Sequence, residues 1–223
     1  MAARTVFVAG AGTEIGKTYV TAALTRRLRA QSRPVRTLKP LASGVPPLSD
    51  PAFAESDTAR LLDAQGLGVE AETVEACSPW RFAAPLAPDQ AAVLEGRTLA
   101  LPDLVGWCRG QIACTDGVLL IEGVGGLMSP VTETATGLDW LKALGVPGLL
   151  VSGSYLGAIS HTLTACETLR LHGVQLLAVA VSESEGAPAP VATVAASIAR
   201  HTSVPVFGLR RGEACPEALA DLV

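Results

Sequence analysis

The amino-acid sequence predicts an α/β fold: one domain over residues 1–223, built on a doubly wound, mainly parallel sheet with helices on both faces. Three observations lead there. About six short apolar, β-branched runs alternate with stretches of helical periodicity, the order that parallel strands joined by crossover helices require. Hydrophobic residues make up 49% of the chain and aromatics only 4%, so the core is rich in Ala, Val and Leu, as in helices packed on a parallel sheet. No stretch between the ends has the composition of a linker, and the length suits one large domain.

The first strand runs from Val6 into the loop of VFVAGAGTEIGKT, and Val20, Leu24 and Leu28 mark the buried face of the helix that follows. A helix start leaves backbone N–H groups unpaired at the positive end of the helix dipole, so the loop is suited to phosphate oxygens. Glycines let the backbone curl around the anion, Lys17 adds a point charge, and Thr18 offers a hydroxyl to magnesium. The usual spacing G-x-x-x-x-G-K-[ST] asks for glycine at position 11, where this chain has Ala11; its first glycine is Gly10.

A second strand, residues 35–38, ends in Lys39-Pro40. Proline stops the ladder and leaves the lysine at the strand's C-terminal edge, where open α/β sheets bind ligands. A solvated charge is the other reading of Lys39. Ser56-Asp57 opens a helix through Leu61 and Leu62, and Asp57 either favours that first turn or faces a metal ion. Residues 66–102 are the least regular; Trp80, Phe82, Pro85 and Pro88 suggest a fixed surface loop, beside a site or merely structural. A helix through Leu104, Val105, Cys108 and Ile112 precedes the third strand, residues 117–121, which delivers Glu122 into Gly123-Val124-Gly125-Gly126. A carboxylate at the end of a buried strand demands a partner, and opposite a phosphate loop that partner is magnesium, unless the acid only caps the turn. Strands at residues 148–152, 176–181 and 204–207 complete the sheet, with helices marked by Leu156, Ile159, Leu163, Cys166 and Leu169 and by residues 188–200. The start of the former, around Tyr155 to Ser160, exposes N–H groups able to hold a carboxylate.

Composition narrows the function. A formal charge of −4 gives no general basic surface, which argues against nucleic acid as a partner. Cys77, Cys108, Cys114, Cys166 and Cys215 lack C-x-x-C spacing, so reduced thiols in a cytoplasmic protein are expected. The N-terminal apolar run breaks at Glu14 and Lys17, unlike a signal peptide, and no apolar stretch approaches the roughly 18 residues of a membrane span.

Taken together, these motifs resemble one family, dethiobiotin synthetase, of the P-loop NTPase superfamily. Its phosphate loop, G-x-x-T-E-x-G-K-T, is matched by Gly10, Thr13, Glu14, Gly16, Lys17 and Thr18, which accounts for the early glycine. Its K-P-x-x-S-G is matched by Lys39, Pro40, Ser43 and Gly44, its S-D by Ser56 and Asp57, and its E-G-x-G-G by Glu122, Gly123, Gly125 and Gly126. A further L-G-x-I-x-H is matched by Leu156, Gly157, Ile159 and His161. The resemblance spans nearly the whole chain in the same order. It implies an ATP-dependent ligase that converts 7,8-diaminononanoate and CO2 to dethiobiotin through a carbamate and a carbamic-phosphoric anhydride. Lys39, Lys17, Ser43 and Thr13 are its implied catalytic residues, and Thr18, Asp57 and Glu122 its Mg2+ ligands. The nucleotide, ATP or another NTP, is assigned to Gly12, Thr13, Glu14, Ile15, Gly16, Lys17, Thr18, Tyr19, Glu122, Ser182 and Gly208. Tyr155, Leu156, Gly157, Ala158, Ile159 and Ser160 are assigned to the substrate carboxylate, acting across a homodimer interface.

The chain also departs from the family. Ser182 stands where relatives usually carry an adenine-recognising asparagine, and Gly208-Leu209-Arg210-Arg211 replaces their G-x-x-P. An intact catalytic centre with relaxed or altered base selectivity is therefore expected. Asp89 and Ser160 replace a histidine and an asparagine near the substrate pocket. The alternative is a partitioning-type regulatory ATPase of the same broad fold, but Ala11 and Gly12 stand where those proteins carry an extra lysine, and they lack K-P-x-x-S-G. A cobalamin-precursor amidotransferase is a third reading, for which the chain has no room for a glutaminase domain.

Overall fold

Alternate residues of the central strands sort onto opposite faces of one sheet, and each face collects its own apolar layer. In the computed structural model, which describes residues 4–223, the elements run β1 (Arg4–Gly10), α1 (Lys17–Ala30), β2 (Val35–Leu38), β3 (Leu41–Ser43), a 3-10 turn (Pro51–Glu55), α2 (Asp57–Gln65), α3 (Ala71–Cys77), β4 (Trp80–Phe82), α4 (Pro88–Leu94), α5 (Leu101–Ala113), β5 (Val118–Glu122), α6 (Gly137–Leu144), β6 (Gly148–Ser152), α7 (Ala158–Leu171), β7 (Leu176–Ser182), α8 (Val191–Ala199), β8 (Val206–Leu209) and α9 (Glu217–Ala220). Six strands form a wholly parallel sheet in the order β2-β5-β1-β6-β7-β8. Val6 and Val8 of β1 pack with α1 and α9, whereas Phe7 and Ala9 pack with the layer that α5, α6, α7 and α8 supply. This is the period-2 alternation of a strand buried on both sides. Phe7 meets Trp140 of α6 edge to face at 4.9 Å, and both are fully or nearly fully buried.

The chain leaves β1 towards β2 on one side of the sheet and builds β6, β7 and β8 on the other. The switch falls at β1, and the loops after β1, β2 and β5 converge there. The short parallel pair β3-β4 stands apart from the main sheet; it folds residues 41–45 and 80–88 together over the C-terminal edge, with Gly44 N–H donating to Ala84 O at 3.0 Å and Val45 N–H to Phe82 O at 3.0 Å.

Boundaries differ from the sequence reading where proline or glycine intervenes. The last strand begins at Val206 rather than 204, since Pro205 has no N–H to give the ladder and offers only its carbonyl to Val179 N–H, at 2.9 Å. Helix α8 starts after Pro190, and α7 after Gly157, whose φ of +96° sets the entry turn. Helix α6 is an addition; its start is fixed by Thr136 and Asp139, each accepting the other's backbone N–H in a capping box. All five cysteines are free, with Cys77, Cys108 and Cys215 buried. Among the described residues no helix is long and apolar enough to cross a membrane.

Candidate active site

The loop between β1 and α1 is shaped by crowding. A Cβ on Gly10 would lie 2.8 Å from Gly12 O, 2.9 Å from Lys17 Cδ and 3.0 Å from Gly125 O, so only glycine lets the loop close on the lysine stem. Gly16 turns into α1 at φ +89° with no side-chain cap, leaving the first-turn N–H groups available to an anion. The glycine turn after β5 packs against this loop: Leu127 N–H donates to Gly10 O at 2.7 Å, and a Cβ on Gly126 would lie 3.2 Å from Gly12 Cα. Lys17 Nζ donates to Gly125 O at 2.6 Å and to Gly12 O at 3.2 Å. Burial, reinforced by the nearby Lys39 charge, pushes its pKa down to about 8.

Lys39, Asp57, Glu122 and Thr18 form one connected group. Glu122 is fully buried at the end of β5, and its Oε1 accepts from Thr18 Oγ1 at 2.7 Å and from Lys39 Nζ at 2.7 Å. Lys39 Nζ also reaches Asp57 Oδ2 at 2.9 Å and Gly123 O at 3.3 Å. Burial opposes the charge on Lys39, but Glu122 and Asp57 outweigh it and hold the ammonium above the usual lysine range. Burial likewise opposes ionisation of Asp57, and the Lys39 ammonium overrides it, keeping the carboxyl below its ordinary value. Lys39 is thus an internal cation with two acids, not a solvated charge.

Glu122 Oε2 is buried without a hydrogen-bond partner among the described residues. An unpaired carboxylate oxygen beside the Thr18 hydroxyl and the half-exposed Asp57 carboxylate is a hard-oxygen set that fits magnesium, which takes few protein oxygens and completes its shell with phosphate and water.

A cleft of about 740 Å³ opens over these groups. Thr13, Glu14, Gly16, Lys17, Thr18 and Tyr19 line it from the phosphate loop, with Ile15 turned into the apolar layer beneath α1; Lys39, Ser43 and Asp57 line it from the end of β2, from β3 and from the start of α2. Pro85 to Pro88 close the rim, so the loop between β4 and α4 belongs to the site. Glu14 takes a left-handed φ of +56°, uncommon outside glycine. Ser182, at the end of β7, is buried against the phosphate loop, its Oγ 2.4 Å from where a Cβ on Gly16 would sit.

Other assigned residues lie apart from the cleft. Gly208 is on the edge strand β8, packed on Val191 and lining an outer groove with α8. Leu156 is 87% exposed, Gly157 and Ser160 are exposed and Ala158 is buried; none of residues 155–160 lines the cleft of this chain. Tyr155 is nearest, its hydroxyl bonded to His161 Nδ1 at 2.8 Å and 3.6 Å from a Cβ position on Gly12. Sequence reasoning missed Arg60 and Ser129 in the cleft lining, and marked Arg211 only as part of the departure from the family's G-x-x-P, without a role of its own. Only Ser129 had a local signal, a serine just after the glycine turn, where its Oγ accepts Gly126 N–H at 2.8 Å.

An anion cradle at a helix start, tied through Thr18 to an acid from the adjacent strand, places the chain among the phosphate-loop nucleotide-binding α/β proteins. A protein-family model described as an AAA domain matches residues 4–209. The chain is 67% identical to the ATP-dependent dethiobiotin synthetase BioD of Methylobacterium nodulans over 98% of both chains, and 46% identical to that of Acidiphilium cryptum over 90% of this chain and 91% of the other. A solved ParA family ATPase from Chlorobium tepidum superposes with a TM-score of 0.52 at 12% identity, covering 98% of this chain and 87% of that one; that likeness concerns the fold alone. The chain belongs to the ATP-dependent dethiobiotin synthetase family.

Proposed function

We propose that the protein closes the ureido ring of dethiobiotin from 7,8-diaminononanoate and CO2, with a nucleoside triphosphate going to the diphosphate and phosphate. One substrate amine adds CO2 to give a carbamate. A carbamate oxygen attacks the γ-phosphorus and the diphosphate leaves; the second amine then attacks the carbamate carbon and expels phosphate, forming the second C–N bond. The observation that carries this reading is the buried Lys39 ammonium, held at 2.7 Å from Glu122 and 2.9 Å from Asp57 and sharing Glu122 Oε1 with Thr18 of the phosphate loop. Phosphoryl transfer asks chiefly for positioning and charge neutralisation. Lys17 supplies positive charge from the loop, Lys39 supplies it from the end of β2, and Ser43 and Thr13 line the same cleft as hydroxyl donors. Thr18, Asp57 and Glu122 would hold magnesium, which supplies charge neutralisation on the β and γ phosphates. The exposed turn at residues 155–160 is assigned to the substrate carboxylate of a neighbouring subunit, because it lies outside its own chain's cleft.

The test is incorporation of labelled bicarbonate into acid-stable product by the purified protein with the diamine, magnesium and ATP, CTP or GTP. Stoichiometric ureido product and inorganic phosphate are expected. Absence of acid-stable label with every nucleotide would overturn the assignment.

A further inference from the structure

Beyond the phosphate cradle lies a corner whose parts no catalytic step uses. Arg211, in the loop after β8, stacks its guanidinium 4.3 Å above the Tyr19 ring. Its Nε donates to Glu183 O at 2.9 Å and its backbone N–H to the Glu183 carboxylate at 2.9 Å. Tyr19 is fixed in turn, its hydroxyl donating to Arg210 O at 2.6 Å. The guanidinium plane is therefore held on one face and one edge, while Nη1 and Nη2 have no hydrogen-bond partner among the described residues. Arg211 is also the residue shared by the catalytic cleft and an adjoining groove of about 770 Å³ formed by residues 183–190. Where the two meet, Arg211 Nη2 would lie 3.0 Å from a Cβ on Gly16, and the buried Ser182 hydroxyl beside it has no partner.

The charge distribution says which end of a nucleotide belongs here. Lys17 and the first turn of α1 attract the phosphates on the cleft side. Glu183 and Glu185 make the groove unsuited to a second anion, and the Glu183 carboxylate is already engaged by the Arg211 backbone. A neutral, flat group suits the groove: the nucleobase.

We propose that Arg211, fixed on Tyr19, is the stacking platform for the base, so that the site grips the nucleoside through a π-face every base has rather than through one base's edge. This deepens the functional reading above and rests on it for the nucleotide, but its test is binding. Magnesium-dependent affinities for ADP, CDP, GDP and inorganic tripolyphosphate are measured by calorimetry on the wild type, Arg211→Ala and Arg211→Lys. Arg211→Ala is expected to weaken all three nucleotides by about ten- to a hundredfold, the size of one lost stacking contact, and to leave tripolyphosphate within about threefold. Arg211→Lys keeps the charge without the plane and is expected to resemble the alanine variant. Unchanged nucleotide affinity in Arg211→Ala overturns the proposal, as does equal weakening of tripolyphosphate, which would make Arg211 a phosphate ligand. Weakening confined to one base, or full rescue by lysine, overturns it too. Failure to form ureido product in the activity assay would sink the functional assignment and leave this comparison standing.

Discussion

Replacing Lys39 with methionine preserves the stem's volume and removes the ammonium. Its two acids respond differently. Asp57 has a side chain 44% exposed and can rehydrate, so its share is that of a surface pair, under about 1 kcal/mol. Glu122 is 0% exposed and keeps only the Thr18 hydroxyl; stranding that carboxylate should cost about 3–5 kcal/mol of folding stability. Urea unfolding without magnesium measures this. The double variant Lys39→Met with Glu122→Gln removes the stranded charge, and most of the loss should return, a coupling of about 2–3 kcal/mol. Activity should not return, because one charge contact to the transferring phosphoryl group is missing in both variants; turnover should fall about 100- to 1,000-fold. A single variant within about 1 kcal/mol of the wild type, or a double variant no more stable than the single, would refute the buried-pair reasoning. Near-normal turnover in Lys39→Met would refute the role of Lys39 on the phosphate.

Gly10→Ala places a methyl within 3.0 Å of Gly12 O, Lys17 Cδ and Gly125 O, so nucleotide affinity should drop about five- to 150-fold for a strain of about 1–3 kcal/mol, read by the same calorimetry; unchanged affinity would show the loop to be softer than its contacts imply. Trp140→Ala empties a fully buried site against Phe7 and should lower stability by about 3–5 kcal/mol in chemical denaturation, with kinetic constants near normal at low temperature, since Trp140 does not line the cleft. Ser160→Glu adds an acid to the exposed first turn of α7, where the helix dipole welcomes it; folding should hold while the diamine KM rises about tenfold or more and the NTP KM stays put. Mixing this variant with Lys39→Met should restore activity if the carboxylate is held across the dimer, and no restoration would place both functions in one subunit.

The residues that carry charge into the site were legible because each sits where a local pattern breaks. Lys39 precedes a proline that ends a strand, Glu122 interrupts a wholly apolar run, and Ser56 caps the helix that Asp57 opens, its Oγ accepting Ala59 N–H at 3.2 Å. The strand core was legible for the same reason, since strands buried on both faces need continuous apolar runs. The β3-β4 pair was not. Each strand is three residues long, too short for alternation to register, and pairing residue 41 with residue 80 is a tertiary event. Helix α6 did carry a signal, the T-x-x-D of its capping box, which the neighbouring glycine turn overshadowed. Arg211 was marked only by its place in the stretch that replaces G-x-x-P; its contacts with Tyr19 and Glu183, distant in sequence, could not be read locally.

The grip of Lys17 on Gly12 O and Gly125 O has a further consequence. Lys17 is already supplied with backbone acceptors, so a triphosphate that takes this ammonium competes against the protein's own carbonyls, and only the surplus appears as affinity. Because Gly125 belongs to the turn that follows Glu122, winning that competition alters the hydrogen bonding next to the buried acid.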